Sequence, residues 1–227
     1  MDSARISALL EPFLESPLSP AQLQQISIYI DLLLRWNARI NLTAICQEEE
    51  IVSRHFGESF FLARHLLPAP PLTPPAAQFT AHVEINGPPT EVLDIGSGAG
   101  FPALPLKIWA PHLHLTLIES NHRKAAFLRE VARALTFTNI NVITARAETL
   151  AAQPDFPRAH FVTLRAVERF EQILPAAAAL LAPNGTLALL IGSSQLPTLT
   201  HLPTLHHLQP IHIPKSHSRV LSLSTFE

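Results

Sequence analysis

Cysteine, glycine and charge are all scarce in this chain of 227 residues. The one cysteine, Cys46, excludes an intrachain disulfide and a zinc site built from cysteines, so we expect a protein of the reducing cytoplasm. Charged residues make up 15% of the chain and the formal net charge is -2, so the overall charge does not favour nucleic-acid binding. No apolar run is long enough to span a membrane, and the N-terminus lacks the regions of a signal peptide, so we expect no membrane association.

Histidine, by contrast, is common, and its twelve copies raise the question of a metal site. His112 and His114 would share one face of a strand, whereas the adjacent His206 and His207 would point apart. No carboxylate accompanies either pair at the spacing of a ligand set. The sequence therefore predicts no metal.

The distribution of proline divides the chain into three parts. Residues 1–67 form a predicted N-terminal helical extension, because Ser19-Pro20 is a typical helix start and apolar residues follow it at helical spacing. Residues 68–89 hold seven prolines, which exclude a helix and indicate a linker or long surface loop, with a short strand predicted at 82–85. Residues 90–227 alternate between strand and helix patterns. This alternation indicates an α/β domain with a doubly wound, mostly parallel sheet of the Rossmann-like kind.

Three of the seven glycines lie together in the segment Gly96-Ser97-Gly98-Ala99-Gly100, between a predicted strand at 92–95 and a predicted helix at 104–109. Glycine permits a tight turn there and lets a ligand approach the backbone closely. The next predicted strand ends in Glu119, whose carboxylate can accept hydrogen bonds from both hydroxyls of a ribose. The pattern predicts a cofactor that contains a nucleoside.

Two cofactors compete for this loop. The dinucleotide fingerprint is G-x-G-x-x-G, and its last glycine packs the helix against the strand. Here the spacing is G-x-G-x-G followed by Phe101-Pro102, and the bulky Phe101 crowds the position that a pyrophosphate would take. S-adenosylmethionine has no phosphate and needs only the close approach of the backbone. The loop therefore favours S-adenosylmethionine over NAD.

Several further blocks carry a resemblance to a known family. These blocks are Arg35-Trp36-Asn37 with Ile40-Asn41-Leu42-Thr43, Arg54-His55-Phe56, Val92 to Pro105, Leu117 to Ser120, Arg123 to Leu128, Arg146-Ala147-Glu148 and Arg165-Ala166. From about residue 32 to residue 191, their order and spacing are similar to those of the bacterial 16S ribosomal RNA guanine-N7 methyltransferases, the glucose-inhibited division protein B family. The resemblance implies a class I S-adenosylmethionine-dependent methyltransferase whose partner is 16S ribosomal RNA or the small ribosomal subunit.

The resemblance also implies roles for single residues. Glu119 would hold the ribose, and Ala147 with Glu148 would frame the adenine. Arg165, after the fourth strand, would be the catalytic residue and act by positioning the target base. The full set that it implies for the cofactor is Gly96, Gly98, Gly100, Phe101, Glu119, Ala147, Glu148 and Arg165. The set that it implies for RNA is Arg54, His55, Arg123 and Lys124, although a solvated helix face fits the spacing of these residues equally well.

Two positions depart from the family's usual pattern. Glu58 stands where aspartate is usual, and its extra methylene shifts the carboxylate. Ile191 stands where a lysine is common after the fifth strand, which weakens the case for a phosphate contact at that point.

The chemistry of guanine N7 fits what the sequence lacks. N7 has a free lone pair and no proton, so the reaction needs no general base, and positioning should supply most of the rate. The Asn/Asp-Pro-Pro-aromatic motif of amine methylation is absent after the fourth strand, and so is a Pro-Cys nucleophile. Two alternatives stay open, a methyltransferase of a small molecule and a non-catalytic RNA-binding protein with the same fold. We expect a cytoplasmic monomer.

Overall fold

The computed structural model describes residues 1–67, 89–167 and 169–226. The Pro-rich linker predicted at 68–89 and the strand predicted at 82–85 therefore lie outside the described residues, apart from Pro89. Across these ranges, no helix combines the length and the apolar character needed to cross a bilayer.

The N-terminal third of the chain is helical, as predicted. Ser19 caps the second helix with a capping box, because its Oγ accepts from the Gln22 N–H while the Gln22 side chain accepts from the Ser19 N–H. A π-helical segment, Ile51–Gly57, joins the third and fourth helices, so the helix predicted from about residue 48 is continuous but not α-helical throughout. The described helices are α1 (Ser3–Leu10), α2 (Pro20–Asn37), α3 (Glu48–Glu50), α4 (Glu58–Leu66), α5 (Ala103–Trp109), α6 (His122–Ala134), α7 (Ala147–Ala151) and α8 (Phe170–Ala179).

The strands of the described residues form an eight-stranded sheet in the order β3-β2-β1-β4-β5-β8-β6, with β7 pairing β8. β1 to β5 are parallel, and β8 runs antiparallel to β5. This arrangement confirms the doubly wound, mostly parallel sheet, and β7 and β8 form an antiparallel pair in the C-terminal tail. The strands are β1 (Glu91–Ile95), β2 (His114–Ile118), β3 (Ile140–Ile143), β4 (Ala159–Arg165), β5 (Leu181–Gly192), β6 (Leu205–His207), β7 (Ile211–His212) and β8 (Arg219–Phe226).

The fifth strand begins earlier than the sequence pattern predicts. Proline, asparagine and glycine favour turns, so Pro183-Asn184-Gly185 predicts the end of the preceding helix, and the apolar run after it predicts a strand at 187–191. Instead β5 begins at Leu181, which pairs with Ala159 of β4, and the register between the two strands shifts before Thr186. The irregularity in the pairing accommodates the turn-forming residues inside the strand.

The strand order places the carboxyl ends of β1 and β4 side by side at the centre of the sheet. The chain proceeds from β1 outward to β2 and β3, and then returns to the other side of β1 to form β4. Open α/β sheets bind ligands at such a reversal point, outside the carboxyl ends of the strands. The loops that follow β1, β2, β3 and β4 therefore meet at one edge.

The N-terminal helices cover one face of the sheet and share its core. Ile6, Tyr29 and Phe56 belong to the same buried apolar cluster as Leu117 of β2 and Phe127 of α6. A second cluster on the other face packs α7 and α8 against the sheet. The segment from α2 to α4 is thereby held against the edge where the loops meet.

Candidate functional site

A cleft of about 620 Å³ opens at the carboxyl edge of β1 to β4. Its walls are the loops after these strands and part of the segment between α2 and α3. Most of the residues predicted for the site line it, although they are spread over more than a hundred positions of sequence. These residues are His55, Gly96, Gly98, Phe101, Glu119, Lys124, Ala147, Glu148 and Arg165.

The glycine loop forms one wall with its bare backbone. Gly96, Gly98 and Gly100 all have positive φ angles, of 67°, 54° and 88°. A Cβ added at Gly98 would meet no atom closer than Gly96 O at 3.6 Å, so a side chain there would project into the cleft. Gly100 differs, because a Cβ there would collide with Tyr29 and Leu104 and because the residue does not line the cleft. The geometry thus gives Gly100 a packing role and does not support its predicted cofactor contact.

Tyr29 of α2 supports this loop from beneath, a role that the sequence did not reveal. Its hydroxyl donates to Ala99 O at 2.5 Å, and its ring stacks on Phe101 with centroids 5.2 Å apart. Burial raises the pKa of Tyr29 well above its ordinary value, so the hydroxyl stays protonated as a donor. The only signal in the sequence was a lone tyrosine among apolar helix positions.

Glu119 couples the glycine loop to the next helix. Its Oε2 accepts from the Gly98 N–H and its Oε1 from the Asn121 N–H, both at 2.8 Å. Asn121 in turn caps α6 through its side chain. Each carboxylate oxygen has a second lone pair, and Glu119 lines the cleft, so the group can still accept hydrogen bonds from a ligand.

Asp94, the fourth residue of β1, is a buried carboxyl group below the glycine loop. Its Oδ1 accepts from Thr163 Oγ1 at 2.6 Å, and its Oδ2 is buried with no hydrogen-bond partner among the described residues. Burial raises the pKa of Asp94 from 3.8 to about 7. The group therefore carries a proton over much of the range in which an exposed aspartate is ionised.

Asp94→Asn should change how stability depends on pH. Folded Asp94 holds its proton up to a pKa of about 7, whereas the unfolded chain releases it near 3.8. The free energy of unfolding should therefore fall as pH rises through this window, by at most about 1.4 kcal/mol per pH unit. Asparagine keeps an oxygen for Thr163 and does not ionise, so the fall should be smaller. Urea unfolding at about pH 5 and about pH 7.5 measures this fall in the free energy of unfolding. An equal fall in the wild type and in Asp94→Asn would contradict the raised pKa of Asp94.

Arg165 is not an exposed loop residue, because its side chain is only 8% exposed. Its Nε donates to Glu58 Oε2 at 3.2 Å, its Nη1 to His55 Nδ1 at 2.9 Å and its Nη2 to the Arg54 carbonyl at 2.9 Å. Three nitrogens of the guanidinium are thus held by the helical segment 48–66. Arg165 lines the cleft, but its fork is directed at the protein, which does not favour a direct phosphate contact.

The two departures from the family pattern have clear structural positions. Glu58 is 3% exposed and lies between two arginines, with its Oε1 2.9 Å from Arg219 Nε and its Oε2 bound by Arg165. The longer glutamate side chain thus links β4 to β8. Ile191 is buried in β5 and pairs with Val220 of β8.

His55 links Arg165 to the segment before α3. Arginine can only donate, so His55 Nδ1 is the acceptor, and Nε2 faces Thr43 Oγ1 at 2.8 Å. Burial, and after it the Arg165 charge, lowers the pKa of His55 to about 2, so the ring is neutral. Its ring stacks on Phe101 at 4.6 Å between centroids. Both nitrogens are engaged within the protein, which does not support the predicted RNA contact of His55.

The cationic residues near the cleft are only partly those predicted. Lys124 lines the cleft, whereas Arg54 pairs with Glu50 at 3.3 Å and Arg123 is exposed outside it. Two exposed arginines that sequence reasoning did not select also line the cleft, Arg146 after β3 and Arg169 after β4. The signal for Arg146 was its place beside Ala147 and Glu148.

In the part of the chain described, no three histidine, cysteine, aspartate or glutamate side chains are grouped so that they could hold a metal ion.

Comparison with protein families gives one match that covers most of the chain. The model of rRNA small subunit methyltransferase G matches residues 22–69 and 76–222. Proteins named ribosomal RNA small subunit methyltransferase G are similar along the chain. The one from Bacillus subtilis is 35% identical over 78% of this chain and 67% of its own length. The protein from Chloroflexus aggregans is 34% identical over 92% of this chain and 84% of its own length. The protein from Roseiflexus castenholzii is 40% identical over 66% of this chain and 56% of its own length.

Solved structures share the fold at low sequence identity. The ribosomal protein L11 methylase from Lactobacillus delbrueckii subsp. bulgaricus has a TM-score of 0.54 at 14% identity and covers 77% of this chain and 79% of its own. A SAM-dependent methyltransferase from Aquifex aeolicus has a TM-score of 0.50 at 14% identity, over 61% and 82%. TYW2 from M. jannaschii, in complex with AdoMet, has a TM-score of 0.50 at 18% identity, over 61% and 69%. The fold is therefore that of class I S-adenosylmethionine-dependent methyltransferases.

Proposed function

The chain belongs to the rRNA small subunit methyltransferase G family, and from that premise we propose that it transfers a methyl group from S-adenosylmethionine to N7 of a guanine in 16S ribosomal RNA. The observation that carries the proposal is the meeting of Gly98, Glu119, Glu148 and Arg165 in one cleft at the reversal point of the sheet. These are the residues that the family resemblance assigns to cofactor and substrate.

The residues of the cleft fit the cofactor. A side chain at Gly98 would fill the space that its bare backbone leaves open, and Glu119 offers carboxylate lone pairs for ribose hydroxyls. Ala147 and Glu148, at the start of α7, would frame the adenine. Along the sheet the order is then adenine after β3, ribose after β2 and glycine loop after β1, which leaves the methionine end toward β4. The bound cofactor supplies an electrophilic methyl group at that end.

The side chains around Arg165 match a reaction that needs no general base. On this proposal Glu119 binds the ribose, His55 is engaged through both ring nitrogens within the protein, and Asp94 does not line the cleft. Guanine N7 attacks with its own lone pair, so the protein has to orient the base and exclude competing acceptors of the methyl group. The rigid cluster of Arg165, Glu58 and His55 is suited to orientation.

The rim of the cleft would bind the RNA backbone. Lys124, Arg146 and Arg169 lie around its opening and would contact phosphates, which explains how a chain with a net charge of -2 could bind RNA locally. Cytoplasmic location and a monomeric state stay predictions from the sequence.

Methylation assays on two substrates test the proposal. Purified protein is incubated with S-adenosylmethionine labelled in its methyl group and with either small ribosomal subunits or naked 16S ribosomal RNA. We expect label at a single guanine, mapped as 7-methylguanosine by reduction and aniline cleavage of the RNA. Absence of label from both substrates would overturn the proposal. Label in a small molecule from a bacterial extract, with salt-independent and negligible RNA binding, would instead favour the small-molecule alternative.

Glu119→Ala should weaken binding of S-adenosylmethionine by about 10- to 100-fold, because loss of a charge-assisted hydrogen bond costs about 1.5–3 kcal/mol. Calorimetry measures the dissociation constant. The dissociation constant of Glu119→Gln should lie between those of the wild type and Glu119→Ala, because glutamine keeps one carbonyl oxygen but not the charge. Glu171→Ala, an exposed glutamate of α8 outside the cleft, is the matched control. An unchanged dissociation constant in Glu119→Ala would remove Glu119 from the cofactor site.

A further inference from the structure

The segment between α2 and α3 brings one hydroxyl group to the wall of the cleft. Asn37, the last residue of α2, accepts from the Thr43 N–H at 3.0 Å and donates to the Thr43 carbonyl at 2.9 Å. These two bonds hold the backbone of Thr43 in place. Thr43 is half-buried and lines the cleft beside His55.

The hydrogen bonds at Thr43 determine the direction of its own proton. His55 Nδ1 accepts from Arg165, so the neutral ring carries its proton on Nε2 and donates it to Thr43 Oγ1 at 2.8 Å. The Ile45 N–H donates to the same oxygen at 3.1 Å. Both lone pairs of Oγ1 are thereby used, and the described residues include no acceptor for the hydroxyl proton. Thr43 is therefore a donor toward the cleft.

The Thr43 hydroxyl lies at the end of the cleft near β4, where the substrate would bind. Arg165 and His55 lie at the carboxyl end of β4, whereas Glu119 and Glu148 follow β2 and β3 on the other side of the glycine loop. On the proposed function, the ribose and adenine occupy the β2–β3 side. An acceptor presented to Thr43 then belongs to the base that receives the methyl group.

We infer that Thr43 donates its hydroxyl proton to O6 of the target guanine and so is a specificity-determining residue of the proposed reaction. Guanine presents N7 and O6 as neighbouring acceptors, so a donor at O6 holds the base while leaving the N7 lone pair free. Adenine presents an amino group in place of O6, and two donors would face each other. Arg165 acts through His55 and Thr43, because it fixes the tautomer that turns the threonine proton outward. Charge on Arg165 also strengthens the donors along this chain.

The test combines a protein variant with an altered base and rests on the proposed function. Thr43→Val keeps the shape of the side chain and removes the donor, and 16S ribosomal RNA with 2-aminopurine at the mapped target removes O6. We expect each change alone to lower the single-turnover rate constant by about tenfold, the loss of one hydrogen bond. Both changes together should lower it little further. The dissociation constant of S-adenosylmethionine should stay that of the wild type, and Thr43→Ser should restore the rate on guanine.

Each contrary outcome overturns the inference in a recognisable way. If Thr43→Val binds S-adenosylmethionine more weakly but reacts at the normal rate once saturated with it, the hydroxyl proton of Thr43 is donated to the cofactor and not to the base. Additive losses in the variant and the analogue would show that Thr43 does not meet O6. Thr116→Val, at a half-buried threonine of β2 outside the cleft, controls for the loss of a hydroxyl. If Thr43→Val fails to fold, Thr43→Ser must still discriminate guanine from 2-aminopurine. A wild-type protein that methylates no ribosomal guanine would fail the earlier assay, which separates that result from failure of this inference.

Discussion

Gly98→Val should abolish binding of S-adenosylmethionine while the protein stays folded. The added side chain would project into the cleft, since a Cβ at Gly98 meets no protein atom closer than 3.6 Å. Valine is also strained at the observed φ of 54°, because a β-branched residue rarely adopts the left-handed region. Strain of about 1–3 kcal/mol is within the stability of a domain of this size, so steric exclusion of the ligand should dominate.

Calorimetry with S-adenosylmethionine and urea unfolding of the same preparation measure the two effects separately. Gly192→Val is the control, because Gly192 has an ordinary φ of -74° and an added Cβ there meets nothing closer than 3.6 Å. The control should bind the cofactor normally. A folded Gly98→Val protein with an unchanged dissociation constant would show that the glycine loop is not the cofactor site.

Arg165→Ala should lower the rate of ribosomal RNA methylation by roughly a hundredfold and change cofactor affinity much less. The physical reason is loss of orientation, since a shift of about 1 Å in a positioned group can cost about that factor. Without Arg165, His55 Nδ1 loses its donor, the ring can take the other tautomer, and Thr43 can donate to Nε2 in place of the base. Glu58 would keep only Arg219 as an ionic partner while buried, so the free energy of unfolding should also fall, by up to about 3–5 kcal/mol.

Arg165→Lys should restore little of the rate, because one ammonium group cannot reach Glu58, His55 and the Arg54 carbonyl as the three nitrogens of the planar fork do. Single-turnover methylation of small ribosomal subunits below the unfolding temperature of each variant gives the comparison. Arg133→Ala, at an exposed arginine of α6, should behave as the wild type. Full activity of Arg165→Ala would refute the positioning role and leave Arg165 as a stabilising residue only.

The meeting of the residues proposed for the cofactor could be predicted from the sequence because its determinants are local. Gly96 and Gly98 follow β1 directly, and their positive φ angles are a property of the turn that glycine permits. Glu119 follows β2, and parallel strands bring their carboxyl ends to one edge whatever the packing around them. Ala147 and Glu148 follow β3 for the same reason. Strand–helix alternation with a glycine loop was therefore enough to place these residues together.

The arrangement around Arg165, which we propose orients the substrate, was decided by tertiary structure, because the residues that meet there are far apart in the chain. Arg165 lies 107 positions from Glu58, and no pattern in either segment shows that the two meet. Their contact depends on how the helices from α2 to α4 pack on the sheet, which also buries His55 and holds Thr43 at the cleft. Burial and hydrogen bonding then set the protonation of His55 and Asp94, which depends on surroundings and not on residue type. The sequence alone thus identified the residues that could bind the cofactor. The direction in which Arg165, His55 and Thr43 donate was determined only by the packing of distant segments.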